Sequence, residues 1–193
     1  MKRLFIAVNP DEKSRKIIEN IADQIRPIFD GHLGIRFLKP GTWHLTVSFL
    51  GYQPDHAVGS ILNSLKLCAD NFESPAIEFE KLIFMPYQSE SPKMIWMKGS
   101  RKTSKKLSEI KNNVEKSLME MKVGFKTEYK QFNSHLTLAK FNKEIEVDFQ
   151  KINLPEIGNF GFIPKTLDLM ESRLGKNGAD YEIISRMDFK NPV

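Results

Sequence analysis

The tripeptide His-Leu-Thr occurs twice in this chain of 193 residues, as His44-Leu45-Thr46 and His135-Leu136-Thr137, each followed by an aliphatic residue, Val47 or Leu138. The copies stand 91 positions apart, close to half the chain. Each follows a strand-like run and an amphipathic helix, with Leu4 lying 40 residues before His44 and Met94 lying 41 before His135. Repetition of a motif together with its scaffold points to a duplicated βαβ-type unit. Two lobes meeting at a pseudo-twofold axis would set equivalent strands face to face across a cleft, each presenting the same side chains.

The first half opens with the unbroken apolar run Leu4 to Val8, closed by Asn9-Pro10. Asn9 reads as a helix N-cap, Pro10 as the first helical position and Asp11-Glu12 as an acidic first turn. Ile17, Ile18, Ile21 and Ile25 then recur at helical spacing until Pro27 and Gly31 end the pattern. Ile35 to Leu38 and the alternating Trp43 to Leu50 read as strands, a second helix runs from Asp55 through Cys68, and Ile77 to Met85 is another strand. In the second half Lys93 to Lys98 is a strand, and Leu107, Ile110, Val114, Leu118 and Met121 mark a helix. Ser134 to Lys140 is the strand of the second motif. Thr166 to Leu174 and Tyr181 to Phe189 close the chain as two strands around a turn with Gly175, Asn177 and Gly178.

Hydrophobic residues at 40% and charged residues at 27% fit an ordinary folded protein and exclude a disordered or low-complexity chain. The single cysteine, Cys68, cannot form an internal disulfide and sits in an apolar helical pattern, which fits a reducing compartment. Leu4 to Val8 is too short for a signal core or a membrane span, so the cytoplasm is the expected location. The net charge of +5 is unevenly spread: residues 93–143 hold 13 Lys and Arg against four Glu, while the remainder is net negative. Such a basic segment is either a solvated lysine-rich helix or a surface that gathers phosphate backbones.

Strand alternation fixes which motif side chains share a face. His44 and Thr46 point one way and Leu45 and Val47 the other, and His135 and Thr137 separate from Leu136 and Leu138 in the same manner. Two imidazoles and two hydroxyls directed into one space suit a phosphate. One neutral imidazole can take a proton from an attacking oxygen while a protonated one supplies the leaving oxygen, and the hydroxyls can steady the non-bridging oxygens. Zinc is disfavoured, because the two histidines lie on distant strands with no Asp, Glu or Cys at short ligand spacing. His32 and His56 have no matching partner and read as surface residues.

At these residues the chain resembles the two-histidine (2H) phosphoesterase superfamily, whose signature is a pair of His-x-Thr/Ser-x motifs. More narrowly it is similar to the RNA 2′,3′-cyclic phosphodiesterases, historically called 2′-5′ RNA ligases. Supporting segments are Arg3 to Val8, Trp43 with Phe49-Leu50-Gly51, Ile95-Trp96, Phe132 before the second motif, and Glu171-Ser172 to Tyr181-Glu182. The resemblance implies His44 as proton donor, His135 as proton acceptor, and Thr46 and Thr137 as phosphate ligands. It departs at two positions: the family usually has Pro before the second His and Arg five residues after it, where this chain has Ser134 and Lys140. Lysine keeps the charge and loses the bidentate fork, and strict alternation turns Lys140 away from His135 unless the strand ends or bulges there.

The resulting expectation is a single bilobal α+β domain over residues 1–193, with two antiparallel sheets lining a central cleft and helices outside. The resemblance implies that it hydrolyses an RNA or nucleotide 2′,3′-cyclic phosphate to a 2′-phosphate, and the expectation is that it does so without metal or cofactor, as a monomer with RNA ends or small cyclic nucleotides as partners and no membrane. Phe132, in a polar loop before the second motif, is the expected base-stacking aromatic, with Trp43, Phe49 and Trp96 as other candidates. The competing readings are 2′-5′ ligation or cleavage at the same site, and a non-enzymatic RNA-end-binding protein.

Overall fold

The computed structural model describes residues 1–127, 131–142, 145–175 and 178–190. Lys130 and Lys143 of the basic segment and Asn177 of the last turn lie outside the described residues. Strands β1 (Lys2–Val8), β3 (Leu45–Gln53), β8 (Thr166–Gly175) and β9 (Gly178–Asp188) form one antiparallel sheet in the order β3-β1-β8-β9. Strands β2 (Ile35–Phe37), β4 (Ile77–Met85), β5 (Met94–Gly99), β6 (His135–Phe141) and β7 (Phe160–Phe162) form the other, ordered β2-β6-β5-β4-β7. The duplication is visible in these orders: β3-β1 matches β6-β5, with the two motif strands β3 and β6 in matching places. It is not a βαβ crossover. Each motif strand lies antiparallel and adjacent to the strand that precedes its helix, β3 beside β1 and β6 beside β5.

Three helices, α1 (Glu12–Ile25), α2 (Val58–Asn71) and α3 (Arg101–Glu120), cover the sheets. The α1 start differs from the sequence expectation. Asp11 is the cap, its carboxylate accepting the Ser14 N–H at 2.8 Å, because the Asn9 amide is taken by the buried Asp168 carboxylate at 2.6 Å. One apolar cluster runs through both sheets and all three helices, with Leu45 and Val47 from β3, Leu136 and Leu138 from β6, and Ile18, Leu65 and Ile110 from the helices. The unbroken apolar run of β1 follows from burial on both faces. Leu4, Ile6 and Val8 enter this core, while Phe5 and Ala7 join Met170, with Tyr181 and Ile183 packed on them, in a second small cluster beneath the cleft. Strand β7 escapes a periodicity reading because it is only Phe-Gly-Phe, held where the Gly161 backbone closely approaches the Ile77 carbonyl. Among the described residues no helix is long and apolar enough to cross a membrane.

Behind β3, a buried polar cluster ties the strand to α3. Ser48 Oγ donates to Glu115 Oε1 at 2.6 Å, and Lys111 Nζ donates to Glu115 Oε2 at 2.7 Å. Part of the basic excess of residues 93–143 is therefore structural.

Candidate active site

The two sheets enclose a cleft of about 820 Å³ lined by His44, Thr46, His135, Thr137 and Lys140. The five expected phosphate-handling residues are thus brought together from two strands far apart in sequence. Lys140 reaches the cleft through a β-bulge. Trp96 pairs with Thr137 but Ile95 pairs with Ala139, so Leu138 is an extra residue, and Leu138 and Ala139 are both buried in succession. Alternation then resumes one step out of phase and returns Lys140 to the face of His135. Strand β3 bulges at the matching place: Ala7 pairs with Thr46, Ile6 with Ser48 and Phe5 with Phe49. Phe49, five residues after His44 as Lys140 is after His135, also lines the cleft and is 57% exposed.

The two imidazoles are held alike. His44 Nδ1 lies 2.8 Å from the Thr42 carbonyl oxygen and His135 Nδ1 lies 2.9 Å from that of Asn133, each two residues upstream. A carbonyl can only accept, so Nδ1 carries the hydrogen in both rings and Nε2 is left to exchange protons. The carbonyls are themselves fixed by local structure. Arg15 of α1 donates from Nη1 to the Pro40 carbonyl and from Nε to the Pro10 carbonyl at 3.1 Å, pinning the turn Pro40–Thr42. At the other motif, the Ser134 N–H donates to Ser104 Oγ at 3.1 Å, and the two hydroxyls lie 2.8 Å apart. A proline has no N–H to give, so Ser134 replaces a rigid ring with a tether to α3.

Ring supports differ between the halves. His135 stacks flat on Trp96, with centroids 3.5 Å apart and an 11° interplanar angle. His44 instead sits between Phe5 at 4.9 Å and the edge of Tyr181 at 4.8 Å. Register makes Ala7 the counterpart of Trp96, and Tyr181 from β9 fills the space that the small residue leaves. Burial pushes the His44 imidazole down to about 4, with the charges of His135, Lys140 and Arg15 acting in the same direction. Burial also lowers His135, against the support of its Asn133 carbonyl. Both rings are therefore neutral in the free cleft near pH 7, and a bound anion is what favours a proton on either.

Phe132 is not among the cleft-lining residues. It lines a neighbouring groove with Lys98, Arg101, Lys102 and Lys105, while its side chain packs partly on the core. Trp43 is 1% exposed and belongs to the core. The cleft aromatics are Phe5, Phe49, Trp96 and Tyr181. His32 and His56 are exposed, as expected. Phe5 could have been found by carrying alternation into β1, because its face is opposite that of Leu4 and Ile6. Tyr181 had no such signal, since its role depends on β9 lying two strands from β1. Among the described residues no group of three or more His, Cys, Asp or Glu side chains stands at metal-holding geometry.

Paired His-x-Thr strands from two matching sheets bring two Nδ1-anchored imidazoles and two threonines into one cleft. The family model described as LigT-like phosphoesterase matches residues 8–96, the segment carrying the first motif. An RNA 2′,3′-cyclic phosphodiesterase of Methanocaldococcus jannaschii is 27% identical over 187 residues, covering 94% of this chain and 98% of the relative. A crystal structure of the Thermus thermophilus protein TT0787 superposes with a TM-score of 0.77 at 21% identity, covering 98% of each chain. Escherichia coli LigT, crystallised with 3′-AMP, gives 0.69 at 19% identity, covering 98% of this chain and 99% of LigT. The chain is thus similar to the LigT-like phosphoesterases, in sequence over residues 8–96 and in fold over nearly its whole length.

Proposed function

We propose that this protein hydrolyses a 2′,3′-cyclic phosphate at an RNA end or on a nucleotide, leaving a 2′-phosphate, with no metal in the reaction. The observation that carries this reading is the pair of Nδ1-anchored imidazoles whose Nε2 atoms share one cleft with two threonines and a lysine. His135 Nε2 takes a proton from water as its oxygen bonds to phosphorus, and the bond from phosphorus to O3′ breaks. His44 Nε2 gives its proton to that O3′. The product has a 3′-hydroxyl and a 2′-phosphate, and the proton returns from His135 to His44 through solvent. Thr46, Thr137 and Lys140 steady the non-bridging oxygens as charge gathers there. His44 is the more depressed ring, so its proton arrives with the phosphate: the bound anion raises both imidazoles. The cytoplasm is the compartment in this reading, supported by the buried free thiol of Cys68.

The direction of opening is tested by phosphorus NMR of the product from a nucleoside 2′,3′-cyclic phosphate. A 2′-phosphate is expected; a 3′-phosphate would reverse which oxygen the acid serves, and so contradict the placing of His44.

The pH dependence follows from the two depressed imidazoles. Catalysis needs one ring protonated and one neutral, so activity falls below both values, where no base remains, and above both, where no acid remains. Because each free-enzyme value lies below the ordinary 6.5, the bell of kcat/KM should peak on the acid side of 6.5. Its limbs belong to the pair rather than to named residues. The kcat profile, which reports the complex, should lie at higher pH because the phosphate favours the charged rings. A kcat/KM optimum above pH 7.5 would show that the buried rings do not govern the free enzyme.

A further inference from the structure

The histidines, threonines and Lys140 suffice for one phosphate, yet the cleft holds two more cations. Arg3 and Arg36 line its far end, and none of the described lining residues is an Asp or Glu. Arg36 on β2 and Lys140 on β6 are directly opposed in an antiparallel ladder. The bulge at Leu138 directs Lys140 into the cleft beside Arg36. The Arg36 guanidinium crosses from its own sheet to lie against Gly178 of the other, at a position where a Cβ would collide with it. Burial, Arg36 and Arg3 all hold the Lys140 ammonium below the usual lysine range, so the three charges sense one another.

Arg3 and Arg36 are also displaced from the chemistry. Along β1, Phe5 touches the His44 ring and Ala7 pairs with Thr46. Arg3 lies two residues further, on the same face, roughly 7 Å beyond Phe5 at the strand rise. Both motif strands run from their histidine toward this end, with Phe49 on one and Lys140 on the other.

We propose that Arg3 and Arg36 form a second phosphate subsite, which takes the 5′-phosphate of the nucleotide whose cyclic phosphate is opened. In an RNA end that group is the phosphodiester joining the last two nucleotides. The inference rests on the hydrolase reading and narrows its substrate class. RNA ends and 5′-phosphorylated cyclic nucleotides are preferred over nucleoside 2′,3′-cyclic phosphates, which lack the second phosphate. Exposed Phe49, at the same end of the cleft, is placed to stack on the base between the two phosphates.

The test compares adenosine 2′,3′-cyclic phosphate with and without a 5′-phosphate, using wild type and the Arg3→Ala/Arg36→Ala double variant. In wild type the 5′-phosphate should lower KM by about 10- to 100-fold at low salt, with the advantage shrinking as salt rises. In the double variant the ratio should fall to within threefold of unity. A wild-type ratio near one, or a ratio that survives in the double variant, overturns the subsite. Calorimetric binding of adenosine 2′-phosphate against adenosine 2′,5′-bisphosphate reads the same ratio without turnover. If wild type is inert on both cyclic substrates, the hydrolase reading fails, and the calorimetric ratio alone then upholds or overturns the subsite.

Discussion

Replacing either His44 or His135 by Ala should lower kcat for cyclic phosphate hydrolysis by about 10³-fold or more, with little change in the fold. Positioned acid or base catalysis contributes roughly 10² to 10⁴ per group. Neither proton transfer has an equivalent substitute in this cleft: the threonine hydroxyls are poor acids and bases, and each variant leaves a single imidazole. The double variant should be hardly worse than either single one, because residues acting as a unit are not additive. Structural cost is small. The rings are half-buried and each gives up a single backbone hydrogen bond, while the cores behind them are built from Leu45, Val47, Leu136 and Leu138. His135→Ala also loses the stack on Trp96, a contact of about 1 kcal/mol. Steady-state kinetics beside a thermal melt separates the two effects. Retention of a tenth of wild-type kcat by either variant would remove that histidine from the chemistry.

Glu115→Ala should be the most damaging single change to stability outside the apolar core, costing about 3–5 kcal/mol. Glu115 and Lys111 are 6% and 12% exposed at their side chains, and the carboxylate serves both the lysine and Ser48 on the back of β3. Removing it strands a buried ammonium and a buried hydroxyl together. The melting temperature of a chain this size should fall by roughly 10 °C. Glu115→Leu combined with Lys111→Met should recover much of the loss, because what costs is the unpaired charge rather than the missing pair. A drop under 1 kcal/mol for Glu115→Ala would mean that Lys111 finds water instead.

The repeated His-Leu-Thr makes the site legible in the sequence, because strand alternation alone puts His44 with Thr46, and His135 with Thr137, on one face of each strand. The strand pairing was less accessible. A strand, a helix and a second strand read as βαβ, but nothing in the apolar pattern of β1 tells a parallel crossover from an antiparallel neighbour. Alternation also fails at a bulge, and the bulges at Val47 and Leu138 decide that Phe49 and Lys140 enter the cleft. A bulge leaves only a trace in sequence, two successive core residues such as Leu138-Ala139. Phe132 shows the opposite limit. Proximity in sequence to His135 favours it as a stacking platform, yet Phe132 lines a different groove, beside α3. Tyr181 and Arg36 reach the site through β9 and β2, whose places in the sheets depend on long-range pairing that local patterns do not encode.

Two histidines in one cleft are proposed to open a cyclic phosphate without metal. Hydrolysis of an RNA oligonucleotide ending in a 2′,3′-cyclic phosphate, in EDTA, by wild type, His44→Ala and His135→Ala, with binding measured alongside, tests it most directly. Full wild-type turnover in EDTA is expected, with loss of turnover in both variants and retained binding. Wild-type protein that binds the oligonucleotide but opens it only when divalent metal is restored, or not at all, would contradict it.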